Sequence, residues 1–364
     1  MKAMQRRMER KLIFFDLEGP LSPQDNAYEV MRTHLGAEGA KIFESISKYD
    51  DIISLEGREG YEPGDTLALL VPFLLAHGIT AEDIRKVSEK AGLVSGSRFL
   101  CDKLRERGWK IYIISTSYEQ HALNIGKKLG IPAENVVCTK LNLDERRKEM
   151  SEKVFALVHR YEREILEMPL TAEDSSLKRL CERLDALFFE ELPAVGFEVF
   201  ETKVVGGERK ASALREIAER EGVALEDVVA VGDSITDFKM LDAVRRSGGL
   251  AVVFNGNEYA VPYASVGLAS TDIRFLLILC DAFAAGGKKE ALDAASAWEE
   301  RGDAFRREPE SIPERFIPKE LLAFIKTPFF FHNIERADER KKEEIVSIHK
   351  DFRVRVRKSA GLLG

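Results

Sequence analysis

The sequence predicts an α/β fold in which helices cover both faces of a doubly wound parallel sheet. Short apolar runs, such as LIFF before Asp16 and VVAV before Gly232 and Asp233, have the length and continuity of strands buried on both faces. Segments with apolar residues at helical spacing separate these runs, and this alternation is typical of parallel strands joined by helices. Acidic or hydroxyl residues follow several of the runs, at the sheet edge where such folds carry their ligand sites.

The composition indicates a large globular chain and argues against two classes of partner. The 364 residues are 45% hydrophobic, which suffices for a large core and more than one domain. The formal net charge is −7, from 55 basic and 62 acidic side chains, so no nucleic-acid partner is predicted. No apolar run approaches the ~20 residues that a membrane span needs, so no membrane partner is predicted either.

The cysteines and the first residues favour an intracellular protein. Cys101, Cys138, Cys181 and Cys280 lie far apart and form no CxxC pair, as is usual in a reducing compartment. The segment MKAMQRRMER is basic, but the LIFF that follows it is too short for the core of a signal peptide. A cytoplasmic location is therefore expected.

Six segments are predicted as strands of the core. They share apolar runs or alternation bounded by turn residues, and they cover residues 11–16, 109–115, 134–141, 196–205, 228–233 and 250–255. We assign the α/β core to residues 1–21, 96–140 and 195–270. These stretches contain the six segments, except for residue 141 at the end of the third.

Three further stretches are predicted to be helical. Residues 22–95 contain a strongly apolar helix pattern and a helix start at Thr80. Residues 141–194 are rich in Glu, Arg, Lys and Leu at helical spacing, which predicts a helical insertion of two helices divided near Pro169. Residues 271–364 are predicted to form a helical C-terminal extension, with an apolar cluster at 328–332 and a basic tail.

The residues that follow the buried strands must be considered together. In a doubly wound sheet the ligand crevice lies beyond the carboxyl ends of the strands. Those positions hold two acids after the first strand, two hydroxyl residues after the second, and two acids and an amide after later strands: Asp16, Glu18, Ser115, Thr116, Asp233, Asp237 and Asn255. Asn255 is as well explained by a turn as by a site.

Carboxylates from separate strand ends form a hard oxygen site of the kind that suits Mg²⁺. Asp16, Asp233 and Asp237 supply such oxygens, and Mg²⁺ commonly bridges them to a substrate phosphate. A carboxylate at Asp16 could attack phosphorus and form an aspartyl-phosphate. Two anions at ~4 Å repel by about 4 kcal/mol per charge pair at an effective dielectric of ~20, so cations are needed beside both.

The remaining residues fit the other tasks of phosphoryl transfer. Lys210 begins a predicted helix and can supply a second cation, although Lys203 could reach the same pocket. Ser115 and Thr116 offer hydroxyl and backbone N–H donors to phosphate oxygens. Glu18 could protonate the leaving oxygen and then take a proton from the attacking water.

These segments resemble the four ordered motifs of the haloacid dehalogenase superfamily of phosphatases. DLEGP carries the first motif, IYIISTS the second, Lys210 the third and VVAVGDSITD the fourth. The stretch GERKASALREIAEREGVALEDVVAVGDSITD, residues 207–237, is especially similar to the phosphoserine phosphatase branch. The resemblance covers roughly half of the chain and implies a Rossmann-like core with a helical cap at residues 22–95.

The resemblance implies a role for each matching residue. Asp16 falls on the nucleophile and Glu18 on the acid/base, where most members of the family carry Asp. Ser115 and Lys210 fall on the phosphate-binding positions, with Thr116 beside them. The metal ligands that it implies are Asp16, the backbone carbonyl of Glu18, and Asp233, with Asp237 supporting the site.

The expected activity is that of a Mg²⁺-dependent phosphomonoester phosphatase acting on a small phosphorylated metabolite, with phosphoserine-like compounds among the candidates. Phosphotransfer to an acceptor alcohol would use the same residues. A non-hydrolytic subunit of a protein complex is a third hypothesis, because much of the chain lies outside the resembling core. The sequence leaves open the substrate, the oligomeric state and the roles of residues 141–194 and 271–364.

Overall fold

A seven-stranded sheet organises the part of the chain that the computed structural model describes, residues 11–168, 174–305 and 307–362. The strand order is β3-β2-β1-β4-β5-β6-β7, with β7 antiparallel to β6 and all other neighbours parallel. The strands are β1 (Lys11–Phe15), β2 (Trp109–Tyr118), β3 (Val136–Thr139), β4 (Val228–Gly232), β5 (Leu250–Phe254), β6 (Val266–Ser270) and β7 (Phe329–Asn333). The predicted α/β class is confirmed.

Helices account for most of the remaining described residues. The α-helices are α1 (Asn26–Glu56), α2 (Thr66–Leu69), α3 (Val71–Ala76), α4 (Ala81–Glu89), α5 (Ser97–Glu106), α6 (Glu119–Lys128), α7 (Leu143–Arg147), α8 (Glu152–Glu167), α9 (Asp174–Asp185), α10 (Leu192–Ala194), α11 (Gly207–Glu221), α12 (Phe238–Arg246), α13 (Leu276–Phe305) and α14 (Glu339–Arg357). A π-helical stretch, Ala186–Glu191, joins α9 to α10.

Among described residues, no single helix is both long and apolar enough to cross a membrane. The bent pair Thr66–Ala76 and Ala81–Glu89 meets that criterion only when its two halves are combined.

One strand prediction and one helix prediction need correction. The segment 196–205 forms no strand: its buried and exposed residues alternate, but it packs against helices of residues 22–95 and 141–194, pairs with no strand of the described sheet, and contains a 3-10 turn at Val199–Glu201. The extension 271–364 is not helical throughout, because Phe329–Asn333 pairs with β6 as the edge strand β7. The aromatic run of β7 suits a half-buried pleated edge, with Phe331 buried and Phe330 exposed.

The alternation of β1 side chains divides the core between the two faces of the sheet. Ile13 and Phe15 belong to a cluster that includes residues of helix α13 and strand β7. Leu12 and Phe14 point to the opposite face and pack with residues of α11 and α12. The sheet is therefore buried on both faces, as the continuous apolar runs indicate.

A third apolar cluster lies outside the sheet and joins the helices of residues 22–95 to those of 141–194. It includes Tyr49 and Phe73 from the first segment and Tyr161 and Phe188 from the second, all fully buried. Polar contacts reinforce it, since Arg58 pairs with Asp185 at 2.7 Å and Tyr49 donates to the same carboxylate. The predicted insertion thus packs against the predicted cap, and we call the two together the helical layer. The predicted helix boundary near Pro169 lies outside the described residues, and the domain limits stay predictions.

Candidate active site

Three adjacent strands bring the principal site residues to one edge of the sheet. Asp16 directly follows β1, Ser115 lies in β2 and Asp233 directly follows β4. Because β1 pairs with β2 on one side and β4 on the other, these three residues lie side by side. The backbone N–H of Asp16 extends the ladder by donating to the Val231 carbonyl at 2.8 Å, which fixes the carboxylate at the strand end.

Lys210 joins the first and fourth motifs from the start of α11. Its Nζ lies 2.6 Å from Asp16 Oδ1 and 2.8 Å from Asp237 Oδ1, and the side chain is fully buried. Burial alone would lower the pKa of Lys210, but the charges of Asp16 and Asp237 outweigh it and raise that pKa. Lys203, the alternative cation, is exposed, so the structure brings Lys210 to the carboxylates.

Asp233 and Asp237 use their oxygens differently. Asp237 Oδ2 accepts the backbone N–H groups of Asp233 at 2.9 Å and Ser234 at 3.2 Å, while Oδ1 accepts from Lys210. Both oxygens of Asp237 are therefore engaged within the protein. Asp233 Oδ1, in contrast, is buried and has no hydrogen-bond partner among the described residues. This arrangement suits Asp237 as a support and Asp233 as a ligand.

The cluster of three carboxylates fits a hard divalent cation. Asp16, Asp233 and Asp237 each offer an oxygen within 4.8 Å of the others, and all three residues are buried. Oxygen donors of this kind are those that Mg²⁺ prefers, and a buried carboxylate oxygen without a partner is costly unless a cation meets it. Burial, followed by the charge of Asp237, raises the pKa of Asp16 to about 7, so an added cation would favour its ionised form.

Glu18 lies on the loop after β1, and its environment favours the protonated carboxyl. Its Oε1 accepts the first backbone N–H of α1, from Asn26, at 2.9 Å. Burial, and then the charge of Asp25, raises the pKa of Glu18 to about 8. His121 Nε2 lies 3.6 Å away, and burial lowers the pKa of His121 to about 3, so its ring stays neutral beside the acid.

Ser115 and Thr116 face the same cavity as the two acids. Ser115 Oγ accepts the Ser117 N–H at 3.1 Å, which leaves the hydroxyl proton for another acceptor. Thr116 Oγ1 is buried without a partner among described residues, while the Thr116 carbonyl accepts from Thr139. Asn255 is not in this cavity. Its side-chain amide donates to the Ser270 carbonyl and accepts the Ser270 N–H, and its backbone forms a turn with φ +49°.

The cavity is lined by the core and the helical layer together. The core contributes the predicted acids and hydroxyls, and the helical layer contributes acidic and apolar side chains around its opening. The lining includes Asp16, Glu18, Asp25, Phe43, Asp50, Asp51, Gly64, Thr66, Leu67, Ser115, Thr116, Ser234, Arg353 and Arg357. Asp16, Glu18, Ser115 and Thr116 thus line one cavity, and the side chains directly behind it are Lys210, Asp233 and Asp237, whereas Asn255 lies elsewhere. The catalytic roles of these residues stay predictions.

Two functional candidates were missed by sequence reasoning. Arg353 Nη1 donates to the Asp233 carbonyl at 3.1 Å and to its Oδ2, and Arg357 Nη1 donates to the same Oδ2 at 3.1 Å. Both arginines are buried. Their spacing of four residues in the basic tail places them on one face of α14, and that spacing was the available signal.

The loop of the first motif approaches Asp233 so closely that it requires glycine. Gly19 has φ +113°, a conformation that side chains rarely adopt, and a Cβ there would lie 2.1 Å from Asp233 Oδ2. The first and fourth motifs are therefore in van der Waals contact at this point.

Comparisons with known proteins support the family resemblance and the fold. A family model for haloacid dehalogenase-like hydrolases matches residues 133–272. The structure of gene product AF1437 from Archaeoglobus fulgidus is 30% identical and superposes with a TM-score of 0.78 over 97% of this chain and 99% of that one. A phosphoserine phosphatase from the same organism is 23% identical over 253 residues, which are 69% of this chain. The chain spans about half of that curated relative's length, 54%.

Proposed function

The chain belongs to the haloacid dehalogenase superfamily, and from this premise we propose that it is a Mg²⁺-dependent phosphomonoester phosphatase that works through an aspartyl-phosphate on Asp16. One observation carries the proposal: Lys210 bridges Asp16 and Asp237 within one buried site. Asp233, on the neighbouring strand end, keeps a buried oxygen without a partner among described residues. A nucleophile, a fixed cation and a metal ligand are then within reach of one phosphoryl group.

The residues divide the chemistry into two displacements. In the first, an oxygen of Asp16 bonds to phosphorus as the ester P–O bond breaks, and Glu18 gives its proton to the leaving oxygen. In the second, water attacks the phosphorus, Glu18 takes a proton from that water, and Asp16 is released with inorganic phosphate. Glu18 suits the first step because its raised pKa keeps the carboxyl protonated near neutral pH.

Cations offset the approach of two anions. Lys210 lies against Asp16 and holds a fixed positive charge next to the transferring group. Asp16, Asp233 and the backbone carbonyl of Glu18 would hold Mg²⁺, which would add positive charge beside the phosphoryl oxygens. Ser115 and Thr116, in the C-terminal half of β2, would donate hydrogen bonds to those oxygens.

A small phosphorylated metabolite is the substrate class that the cavity supports. Apolar and polar side chains of the helical layer, including Phe43, Thr66 and Leu67, close over the acids and limit the room beside the phosphoryl group. The relative named phosphoserine phosphatase makes phosphoserine-like compounds the first to test. The four cysteines are free, which supports action in the reducing cytoplasm.

The test is phosphate release from a panel of phosphorylated metabolites, with Mg²⁺ and then with EDTA, by the wild type and Asp16→Asn. We expect metal-dependent release that falls by at least about 1,000-fold in Asp16→Asn, because the amide cannot act as the nucleophile. Circular dichroism of both proteins controls for folding. A folded variant that keeps substantial activity would exclude the covalent mechanism, and a folded wild type without release on any substrate would contradict the function.

Phosphotransfer to an acceptor alcohol is the second candidate. It is favoured by Glu18 itself, whose longer side chain stands where most of the family carries Asp. The same residues serve, and only the nucleophile of the second displacement differs. Product analysis with candidate alcohols distinguishes the two, because a transferase forms a new phosphomonoester in place of inorganic phosphate.

A further inference from the structure

The C-terminal helix α14 reaches into the site through two arginines that the proposed mechanism does not use. Arg353 and Arg357 lie one helical turn apart and both contact Asp233. We propose that they are positioning residues for this metal ligand, so that docking of α14 and binding of Mg²⁺ favour each other. The inference rests on the proposed function, because it takes Asp233 as a ligand of Mg²⁺.

The arginine contacts fix the orientation of the Asp233 carboxylate but occupy only one of its two oxygens. Both guanidinium groups bond Oδ2, and Arg353 also bonds the Asp233 backbone carbonyl. Oδ1 remains buried with no hydrogen-bond partner among described residues. Arginines that replaced the metal would be expected to engage both oxygens. Contacts of this outer kind fix the direction of a ligand and are commonly needed for full metal affinity.

The charges at the site leave room for a divalent cation beside the arginines. Three cationic side chains, Lys210, Arg353 and Arg357, face a larger set of acids around the cavity. Those acids are Asp16, Glu18, Asp25, Asp50, Asp51, Asp233 and Asp237. Even with Glu18 protonated, six carboxylates face three cationic side chains, so an excess of negative charge remains beside the arginines and a divalent cation would reduce it. The arginines therefore complement the metal's charge without substituting for it.

The arginines are held in place by the packing of α14 on the sheet. Ile345 and His349 are fully buried, and His349 Nδ1 accepts the Gly256 N–H at 3.1 Å in the turn after β5. The next residue in that turn, Asn257, donates its N–H to the Asp233 carbonyl at 3.1 Å. The helix, the turn and the metal ligand thus form one continuous set of contacts, which is the physical route for the proposed coupling.

The first experiment measures Mg²⁺ affinity by isothermal titration calorimetry, without substrate. We expect Arg353→Gln combined with Arg357→Gln to weaken binding by roughly 10- to 100-fold, the usual cost of losing such outer contacts. Arg355→Gln is the matched control, because Arg355 has the same charge on the same helix but is exposed; its affinity should equal that of the wild type. Unchanged or tighter binding by the double variant would overturn the proposal, and tighter binding would identify the arginines as competitors of the metal.

The main comparison of the second experiment uses the wild type with and without Mg²⁺, so its result does not depend on whether a variant folds. Hydrogen exchange of residues 339–357, measured by mass spectrometry, should slow when Mg²⁺ replaces EDTA, and Asp233→Asn should abolish that slowing. Exchange that is unaffected or accelerated by Mg²⁺ would contradict the proposal.

Phosphate release by the same preparation separates this inference from the proposed function. A wild type that binds Mg²⁺ and hydrolyses a substrate, beside a double variant of equal affinity, overturns only the role of the arginines. A wild type that neither binds Mg²⁺ nor releases phosphate overturns both.

Discussion

At the scale of single residues, burial gives two neighbouring acids the different tasks that the mechanism needs. The Lys210 ammonium lies 2.6 Å from Asp16 and opposes the rise in the pKa of that acid, whereas burial raises the pKa of Glu18 and the charge of Asp25 raises it further. The pKa of Glu18 is accordingly raised to about 8 and that of Asp16 to about 7. The more readily ionised acid is the proposed nucleophile and the other is the proposed proton donor.

Asp25→Asn should shift the pH dependence of the reaction. The general acid must be protonated, so kcat/KM of the wild type should fall as the pH rises through about 8, the raised pKa of Glu18. The negative charge of Asp25 contributes to that raised pKa. Removing it lowers the pKa of Glu18 and moves the falling limb to lower pH. The measurement is the pH profile of kcat/KM.

The Asp25 variant should leave the local fold intact. Asp25 caps α1 by accepting the Tyr28 N–H at 3.0 Å, and Asn caps helices equally well. Glu38→Gln, an exposed charge on the same helix, is the control and should not shift the profile. If the falling limb of the kcat/KM profile stays in place in Asp25→Asn, or moves to higher pH, then Glu18 is not the acid whose ionisation causes that limb.

At the scale of elements, the loop between α1 and α2 fastens the helical layer to the core. Glu62 accepts from Lys239 Nζ at 2.9 Å and from the Glu208 N–H at 2.9 Å. Asp65 pairs with Arg209 of α11, and Gly64 lies against Thr116 of the site. The same loop therefore forms part of the cavity wall and holds that wall to the sheet.

Glu62→Gln should loosen this wall and weaken substrate binding. The ion pair is partly exposed, so its contribution is about 1 kcal/mol or less, and KM should rise by roughly two- to fivefold with little change in kcat. The wild-type KM should also rise with ionic strength more steeply than that of the variant. Steady-state kinetics at two salt concentrations test this.

The control for the loop is Glu145→Gln, which removes an exposed ion pair with Lys148 in α7. Its KM should match that of the wild type. If Glu62→Gln behaves in the same way, the loop does not contribute to substrate binding.

At the scale of the whole molecule, the helical layer should unfold as one unit because its two segments share a core. Leu184→Ala deletes a fully buried side chain of that core and should lower the free energy of unfolding by about 2–5 kcal/mol. Hydrogen exchange should then rise in both α1 and α8, while the strands keep their protection. Mass spectrometry of exchanged peptides provides the measurement.

Leu55→Ala controls for the loss of a leucine, since Leu55 is 61% exposed and its removal should change stability by less than about 0.5 kcal/mol. Exchange that rises only in α8 and α9 after Leu184→Ala, with α1 still protected, would show that the two segments unfold independently.

Local sequence signals were sufficient for the sheet centre and the predicted site, and insufficient for distant contacts. The strands that end at Asp16 and Asp233 are continuous apolar runs, and the acids follow them directly, so strand and site are visible in the same few residues. In contrast, β7 acquires its partner β6 about 60 residues earlier in the chain, and β6 itself is short and contains Gly267. Nothing local in either segment indicates that pairing.

The arginines of α14 were missed for the same physical reason. A basic helix face is usually solvated, and only tertiary packing buries Arg353 and Arg357 against a carboxylate 120 and 124 residues earlier. The segment 196–205 shows the converse error, because alternating burial beside the helical layer has the same period as a strand.

The shared core of the helical layer also constrains how that layer can move. Within the described residues the chain crosses between sheet and layer four times, near residues 16–25, 90–96, 140–142 and 202–206. A cap joined to its core by two connections can open by a hinge motion. A cap joined by four connections must keep two additional loops closed in every open position. Wide opening of the helical layer is thereby disfavoured. Entry of a ligand into the cavity then depends on small local movements around the cavity opening. If the substrate is a phosphorylated metabolite as proposed, narrow molecules would then enter the cavity more easily than wide ones, whatever the side chains inside it recognise.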